Sequence, residues 1–263
     1  MAAGDRAGNG AGSGPMRLVL ASNNAKKLSE LAALFGELPL QLVTQGSLGI
    51  PEAEEPHATF IENALAKARH AARACAGAAI ADDSGVCVHA LGGAPGVISA
   101  HYAGDVVAAG AVGAAGVAGV AGVAGVAGVA GVAGVAGAPG QPGPVADREA
   151  VRRLQDAANN ARLLRELEAL GPGADRRARF VCTLVAVRSA DDPEPLVAVG
   201  RWEGEILHAQ QGAGGFGYDP LMFIPSMGRT VAELGAQEKN RVSHRAQAAA
   251  QMARLLREGW HLA

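Results

Sequence analysis

From Val106 to Ala138 the chain is 33 consecutive residues of Gly, Ala and Val, with Gly-Val-Ala repeated seven times between Gly116 and Ala136. A run of three small residue types cannot specify a packed core. Whatever folds must therefore be built from the residues on either side. Two ordered alternatives fail. The run exceeds the roughly 18 uncharged residues of a membrane span. Yet a Gly at every third position costs a helix about 1 kcal/mol each, and no aromatic belt or Lys/Arg flank borders it. Collagen triplets would carry Pro. The run, closed by Pro139–Pro144, reads as a low-complexity insertion at about 105–146 within a domain spanning 16–263. Met1–Pro15 is Gly- and Ala-rich without an apolar stretch, and reads as a disordered tail, not a signal peptide.

The flanks alternate in character. Arg17–Ala21 is a short apolar strand, followed by Leu28, Leu31, Ala32 and Phe35 at helical spacing. Thr59-Phe60-Ile61-Glu62 predicts a capping box opening a helix whose buried stripe is Phe60, Ala64, Ala68, Ala71 and Cys75. Ala79–Ala81 predicts a buried strand ending at Asp82-Asp83. Val151, Leu154, Ala158, Ala161 and Leu164 mark another helix. Phe180–Arg188 and Leu196–Leu207 read as a hairpin joined through Asp191-Asp192-Pro193, and Ala246–Arg257 as a C-terminal helix. Interleaved strands and helices predict a single α/β domain: a mixed central sheet flanked by helices, in two lobes around a cleft.

Net charge −2 gives no broad basic field for a nucleic-acid polymer, but leaves room for a small anion held by a local cluster. Three scattered cysteines lack metal-ligand spacing and read as buried residues of a reducing cytoplasm. Of 23 basic residues only Lys26, Lys27, Lys67 and Lys239 are lysine. A compact ammonium suits single phosphate oxygens, although on composition alone chance in an Arg-rich chain is the favoured explanation of the skew.

Six stretches carry chemistry-bearing residues, each with a plain structural alternative, which for the last of them is a solvated basic turn. Ser22-Asn23-Asn24-Ala25-Lys26-Lys27 joins a strand to a helix, where free N–H groups bind phosphate; the alternative is an ordinary cap with solvated lysines. Glu54-Glu55 and Asp82-Asp83-Ser84 offer the carboxylates Mg²⁺ prefers; the alternative is a turn before Gly85. Asp82 and Asp83 point to opposite sides of a strand, so one serves the site and the other a supporting role. Asn63 and Lys67 share a helix face expected to lie away from the apolar stripe, and a solvated face is the simpler reading. Phe216-Gly217-Tyr218-Asp219 places two scarce aromatics in a glycine-rich turn, suited to a flat ligand or to packing. Lys239 and Ser243-His244-Arg245 put cations at a helix start, where a bound anion or base edge would explain them.

Taken together, LASNNAKKLSEL, TFIENALAKARHAA, ADDSG, LGGAPGV, FGYDP and EKNRVSHR resemble the inosine/xanthosine triphosphate pyrophosphatases in order and spacing, from Arg17 to about Trp260 apart from the insertion. The resemblance implies hydrolysis of ITP, dITP and XTP to monophosphate and pyrophosphate, with Mg²⁺ as cofactor, a homodimeric state and a cytoplasmic location. It implies that Ser22–Lys27 grip the triphosphate, that Glu55 and Asp83 hold the metal, and that Asp83 accepts the proton of the attacking water. Lys67 would neutralise phosphate and Ser84 would touch substrate. Phe216, Gly217, Tyr218, Asp219, Lys239, His244 and Arg245 would surround the purine and sugar-phosphate. One departure is His101, which stands where the family usually has Arg. A Maf-type pyrophosphatase with another base preference and a non-catalytic nucleotide-binding module are the alternatives. FGYD and SHR weigh against the first, and the presence of both Glu55 and Asp83 against the second.

Overall fold

The computed structural model describes residues 14–104 and 145–262. The tail, apart from Gly14 and Pro15, and nearly all of the insertion lie outside the described residues. In chain order the described elements are β1 (Met16–Leu20), α1 (Ala25–Leu34), β2 (Leu40–Thr44), α2 (Phe60–Cys75) and β3 (Ala79–Val88). After the insertion come α3 (Val145–Ala169), β4 (Arg177–Val187), β5 (Leu196–Ile206), β6 (Met222–Ile224), β7 (Arg229–Thr230), α4 (Ala236–Val242) and α5 (His244–Trp260).

The seven strands form one mixed sheet in the order β2-β1-β3-β4-β5-β6-β7. β1 runs parallel to β2 and β3, and every later pairing is antiparallel. The sequence patterns follow from this. The parallel strand β1 is covered on both faces, so Leu18, Val19 and Leu20 are all fully buried. β5 has one wet face, so Arg201, Glu203 and Glu205 alternate with buried Trp202, Gly204 and Ile206. The hairpin turn is held as its sequence suggests: Asp192 accepts from the backbone N–H of Arg188 at 2.7 Å and of Glu194 at 3.0 Å.

Three apolar clusters pack against the sheet. Leu18, Leu20, Ile80 and Leu184 meet Leu31 of α1 and Met252 and Leu256 of α5. On the opposite face Val19, Ala79, Ala81 and Val185 meet Ala64, Ala68 and Ala71 of α2. The third cluster gathers Val86, Val88, Phe180, Trp202, Ile206 and Leu221 around Leu163 and Leu167 of α3. β3 thus runs from the first two clusters into the third. Asp82, Asp83 and Ser84 lie at the crossing, between Ala81 and Val86.

Three expectations require correction. β3 does not end at the acidic pair but continues to Val88, because it pairs with β4 over its full length, with Asp82 opposite Leu184 and Asp83 opposite Thr183. The Asn63/Lys67 face of α2 is buried, not solvated, while Phe60 and Cys75 are only partly covered. Alanines let α2 lie close on the sheet, so its flanking positions are covered too. On α3 the buried stripe is Asn159, Asn160, Leu163 and Leu167, whereas Val151 and Leu154 are exposed. Among the described residues no helix is long and apolar enough to cross a membrane.

Candidate active site

The turn after β1 is built by its own side chains. Ser22 Oγ accepts from the Asn24 N–H at 3.2 Å, and Asn24 Oδ1 accepts from the Lys27 N–H at 3.3 Å, capping α1. Ala25 and Lys26 occupy the first turn of that helix. Asn23 donates to Glu52 at 2.9 Å, fastening the turn to the segment that leads to Glu55. A cavity of about 140 Å³ opens here, lined by Ser22, Asn23, Asn24, Lys27, Glu52, Glu55, Lys67, Asp82 and Arg152 among others.

The two adjacent aspartates serve opposite sides of β3, as strand alternation requires. Asp82 is 1% exposed, and one of its oxygens takes Lys27 Nζ at 2.9 Å, Ser84 Oγ at 3.0 Å and an Arg245 nitrogen at 3.6 Å. Burial alone would raise this carboxyl, but Lys27 and Arg245, with Lys67, hold it well below the usual carboxylate range. Asp83 faces α2. It accepts from Lys67 Nζ at 3.1 Å and from Asn63 Nδ2 at 3.4 Å. Burial raises its pKa to about 6, with Glu55 adding to the shift and Lys67 opposing it. Lys67 also contacts Glu55 at 3.0 Å. Burial works against the ammonium, but Asp83, Asp82 and Glu55 keep its pKa above the usual lysine value. Asp83 is not itself among the residues lining the cavity; it stands one layer behind Lys67.

At the other end Asp219 organises the glycine-rich turn. Its Oδ2 accepts from the Phe216 N–H at 2.9 Å and from Lys239 Nζ at 2.7 Å. Gly215 is required beside it, with φ +74° and a would-be Cβ only 2.1 Å from that oxygen. The two aromatics separate in role. Phe216 is half-buried, with Lys239 Nζ 4.6 Å and the Arg245 guanidinium 6.0 Å from its ring centroid. Tyr218 is 5% exposed, belongs to the apolar core and donates to the Ser99 carbonyl at 2.9 Å. The packing alternative therefore describes Tyr218, and only Phe216 offers a face to a flat ligand.

His244 and Arg245 open α5 behind the Ser243 cap. His244 stacks on Phe180 with ring centroids 4.9 Å apart, and its buried Nδ1 has no hydrogen-bond partner among the described residues. Arg245 is ion-paired with Glu30 of α1 as well as with Asp82. Glu30, Glu52 and Arg152 escaped the reading of the sequence, since nothing near them in the chain announces partners so far away. The Lys27–Asp82–Arg245–Phe216 series of contacts links the cavity to the glycine-rich turn, so the sequence-distant motifs are joined through buried charges.

Comparison with known proteins identifies the family. The sequence model of the Ham1 family matches residues 18–119 and 134–255, breaking only within the Gly-Val-Ala run. The chain belongs to the Ham1 family. It is 59% identical to a protein of Methylibium petroleiphilum named dITP/XTP pyrophosphatase, over 93% of this chain and 99% of the relative. A protein of the same name from Leptothrix cholodnii is 60% identical over 94% and 100%. Among solved structures, a HAM1 protein from Coxiella burnetii superposes with a TM-score of 0.70 at 37% identity, covering 92% of this chain and 99% of its own.

Proposed function

We propose that this chain hydrolyses non-standard purine nucleoside triphosphates, namely dITP, ITP and XTP, to the monophosphate and pyrophosphate, and so cleanses the cytoplasmic nucleotide pool. The observation that carries the reading is the series of contacts that links the Lys27/Lys67 cavity to Phe216 through Asp82 and Arg245. A triphosphate laid along it puts its anionic chain at the cations and its base on the aromatic face. The names of the relatives supply the substrate class.

The donor set fits Mg²⁺. Glu55 and Asp83 converge on one ammonium, at 3.0 and 3.1 Å, so both offer hard oxygen ligands to the same small volume. Among the described residues no group of three or more His, Cys, Asp and Glu side chains could hold a metal alone. That suits an ion that takes one or two carboxylates and completes its shell with water and substrate phosphate. Bound there, the metal supplies charge neutralisation and an acidified water.

The protein's own groups do the rest. Asp83, with its pKa near neutrality, accepts the proton of the water attacking the α-phosphorus. Asn63 fixes its orientation, and Lys67 passes from Asp83 to the phosphates when substrate enters. Lys27, carried at the end of the Ser22–Lys27 turn, holds the departing pyrophosphate. Ser84 acts through Asp82, to which its hydroxyl is bonded. Arg245, held by Glu30 and Asp82, donates to the 6-keto oxygen of the base, with His244 beside it. Assembly as a homodimer follows from the family resemblance and is read directly by sedimentation.

Pyrophosphate release from dITP, ITP and XTP with Mg²⁺, against ATP and GTP, tests the assignment. Asp83→Asn abolishes turnover and leaves the fold intact; turnover within about tenfold of wild type at saturating Mg²⁺ would remove Asp83 from its role.

A further inference from the structure

Helix α3 enters neither the metal site nor the base-reading turn described above, yet it touches both ends of the cleft. Arg152 lines the phosphate cavity. Four residues on, Asp156 Oδ2 accepts from the backbone N–H of Gly217 at 2.8 Å. Four further on, Asn160 Nδ2, on a side chain only 2% exposed, donates to the carbonyl of the same Gly217 at 3.0 Å. Positions spaced i, i+4 and i+8 share one helix face, and eight residues advance about 12 Å along the axis. One face of one helix therefore runs from the phosphate cavity to the turn that carries Phe216.

The two ends differ in what they offer. The other cations lining the cavity are engaged: Lys27 with Asp82, and Lys67 with Glu55 and Asp83. Arg152 forms no ion pair among the described residues and is exposed at the cavity wall. Among the described residues this guanidinium is a donor fork without an ion-paired carboxylate, suited to bidentate capture of phosphate oxygens. At the far end both polar groups of the Gly217 backbone are taken by α3 side chains. Gly217 has φ +61° and follows Phe216 directly, so its peptide fixes the backbone from which the ring projects.

We propose that the Arg152–Asp156–Asn160 face of α3 is a substrate-positioning wall. Arg152 binds the outer phosphates that leave as pyrophosphate, and Asp156 and Asn160 position the Phe216 face for the base. The proposal rests on the pyrophosphatase reading and adds to it one direct phosphate contact and two residues that act through Gly217.

The two products separate the two ends. Binding of inorganic pyrophosphate and of dIMP is measured by calorimetry in Mg²⁺ buffer on the full chain, first on wild type and then on Arg152→Ala and Asp156→Ala. Wild type binding neither product and leaving dITP intact would refute the pyrophosphatase reading itself. Given wild-type binding, Arg152→Ala weakens pyrophosphate about tenfold and leaves dIMP within about twofold. Asp156→Ala does the reverse, raising the dIMP dissociation constant about tenfold with pyrophosphate unchanged. Arg152→Lys recovers part of the pyrophosphate affinity. A merely structural role for α3 would move both affinities together in both variants. That result, or no change in either product, overturns the proposal. Asp156 is only half-buried, so its variant keeps the base-end test available if Asn160→Ala does not fold.

Discussion

A methyl group at Gly200 would lie 1.9 Å from the carbonyl oxygen of His244. β5 and the first turn of α5 therefore meet backbone to backbone, directly behind the residues proposed to face the base. Gly200→Ala must push α5 outward, because both the His244 carbonyl and the Ala248 N–H, at 2.7 Å, are main-chain atoms. Overpacking of this kind costs about 1–3 kcal/mol. The expected result is a lower urea midpoint together with a loss of dITP turnover larger than the stability loss explains. An active, fully stable Gly200→Ala enzyme would show that the helix adjusts without disturbing the site.

Arg245 is the proposed reader of the 6-keto group, and it is also a buried structural cation. Arg245→Ala leaves Glu30 without its partner and strips one cation from Asp82, and breaking such a buried pair costs about 3–5 kcal/mol. Where the variant remains folded, kcat/KM for ITP falls much more than for ATP, compressing a discrimination of roughly tenfold to a hundredfold. Phe216→Ala removes the stacking face together with its cation–π contacts to Lys239 and Arg245, and weakens both about equally. An unchanged ITP/ATP ratio in Arg245→Ala would reassign the residue to phosphate binding.

His244 makes stability depend on pH. Burial, and then the charges of Arg245 and Lys239, hold its imidazole well below the usual value of 6.5, with Asp82 opposing. The unfolded chain takes up a proton as the pH falls below about 6.5 and the folded chain does not. The contribution is thus fully present above that value and is lost as the pH falls, by up to about 1.4 kcal/mol per unit. Urea titrations from pH 7 downward should show this slope in wild type and a flatter one in His244→Phe, which keeps the stack on Phe180. Equal slopes would place the acid sensitivity elsewhere.

Removal of Val106–Gly143 should leave dITP turnover and the thermal midpoint close to wild type. Gln155 Nε2 donates to the Gly104 carbonyl at 2.8 Å, and Asn159 Oδ1 accepts from the Ala103 N–H at 2.8 Å, so α3 fastens the chain on which the run begins. Loss of soluble protein on deletion would reveal a structural duty for the run.

Much of this was legible in the sequence because it is local. The cap at Thr59, whose oxygen accepts from the Glu62 N–H, and the hairpin turn at Asp192 are made by residues within four positions of each other. The opposite facing of Asp82 and Asp83 follows from strand alternation alone. What escaped was set by distant partners. Lys67 and Asn63 are polar at helical spacing, the ordinary mark of a wet face, and only the register of β3 against α2 brings Asp83 to them. Glu30 meets Arg245 from 215 residues away. Tyr218 carries no local sign that its hydroxyl is committed to Ser99.

The fastening of Ala103 and Gly104 to α3 has a practical meaning. Those hydrogen bonds hold together two points of the backbone that the repeat run would otherwise leave to find each other. The junction is therefore a natural port: new chain ends could be opened there, or a reporter domain spliced in, with Gln155 and Asn159 serving as the suture. Because the same helix bears on Gly217, strain applied through such a graft would reach the Phe216 face, turning the enzyme into a sensor of whatever the grafted domain recognises.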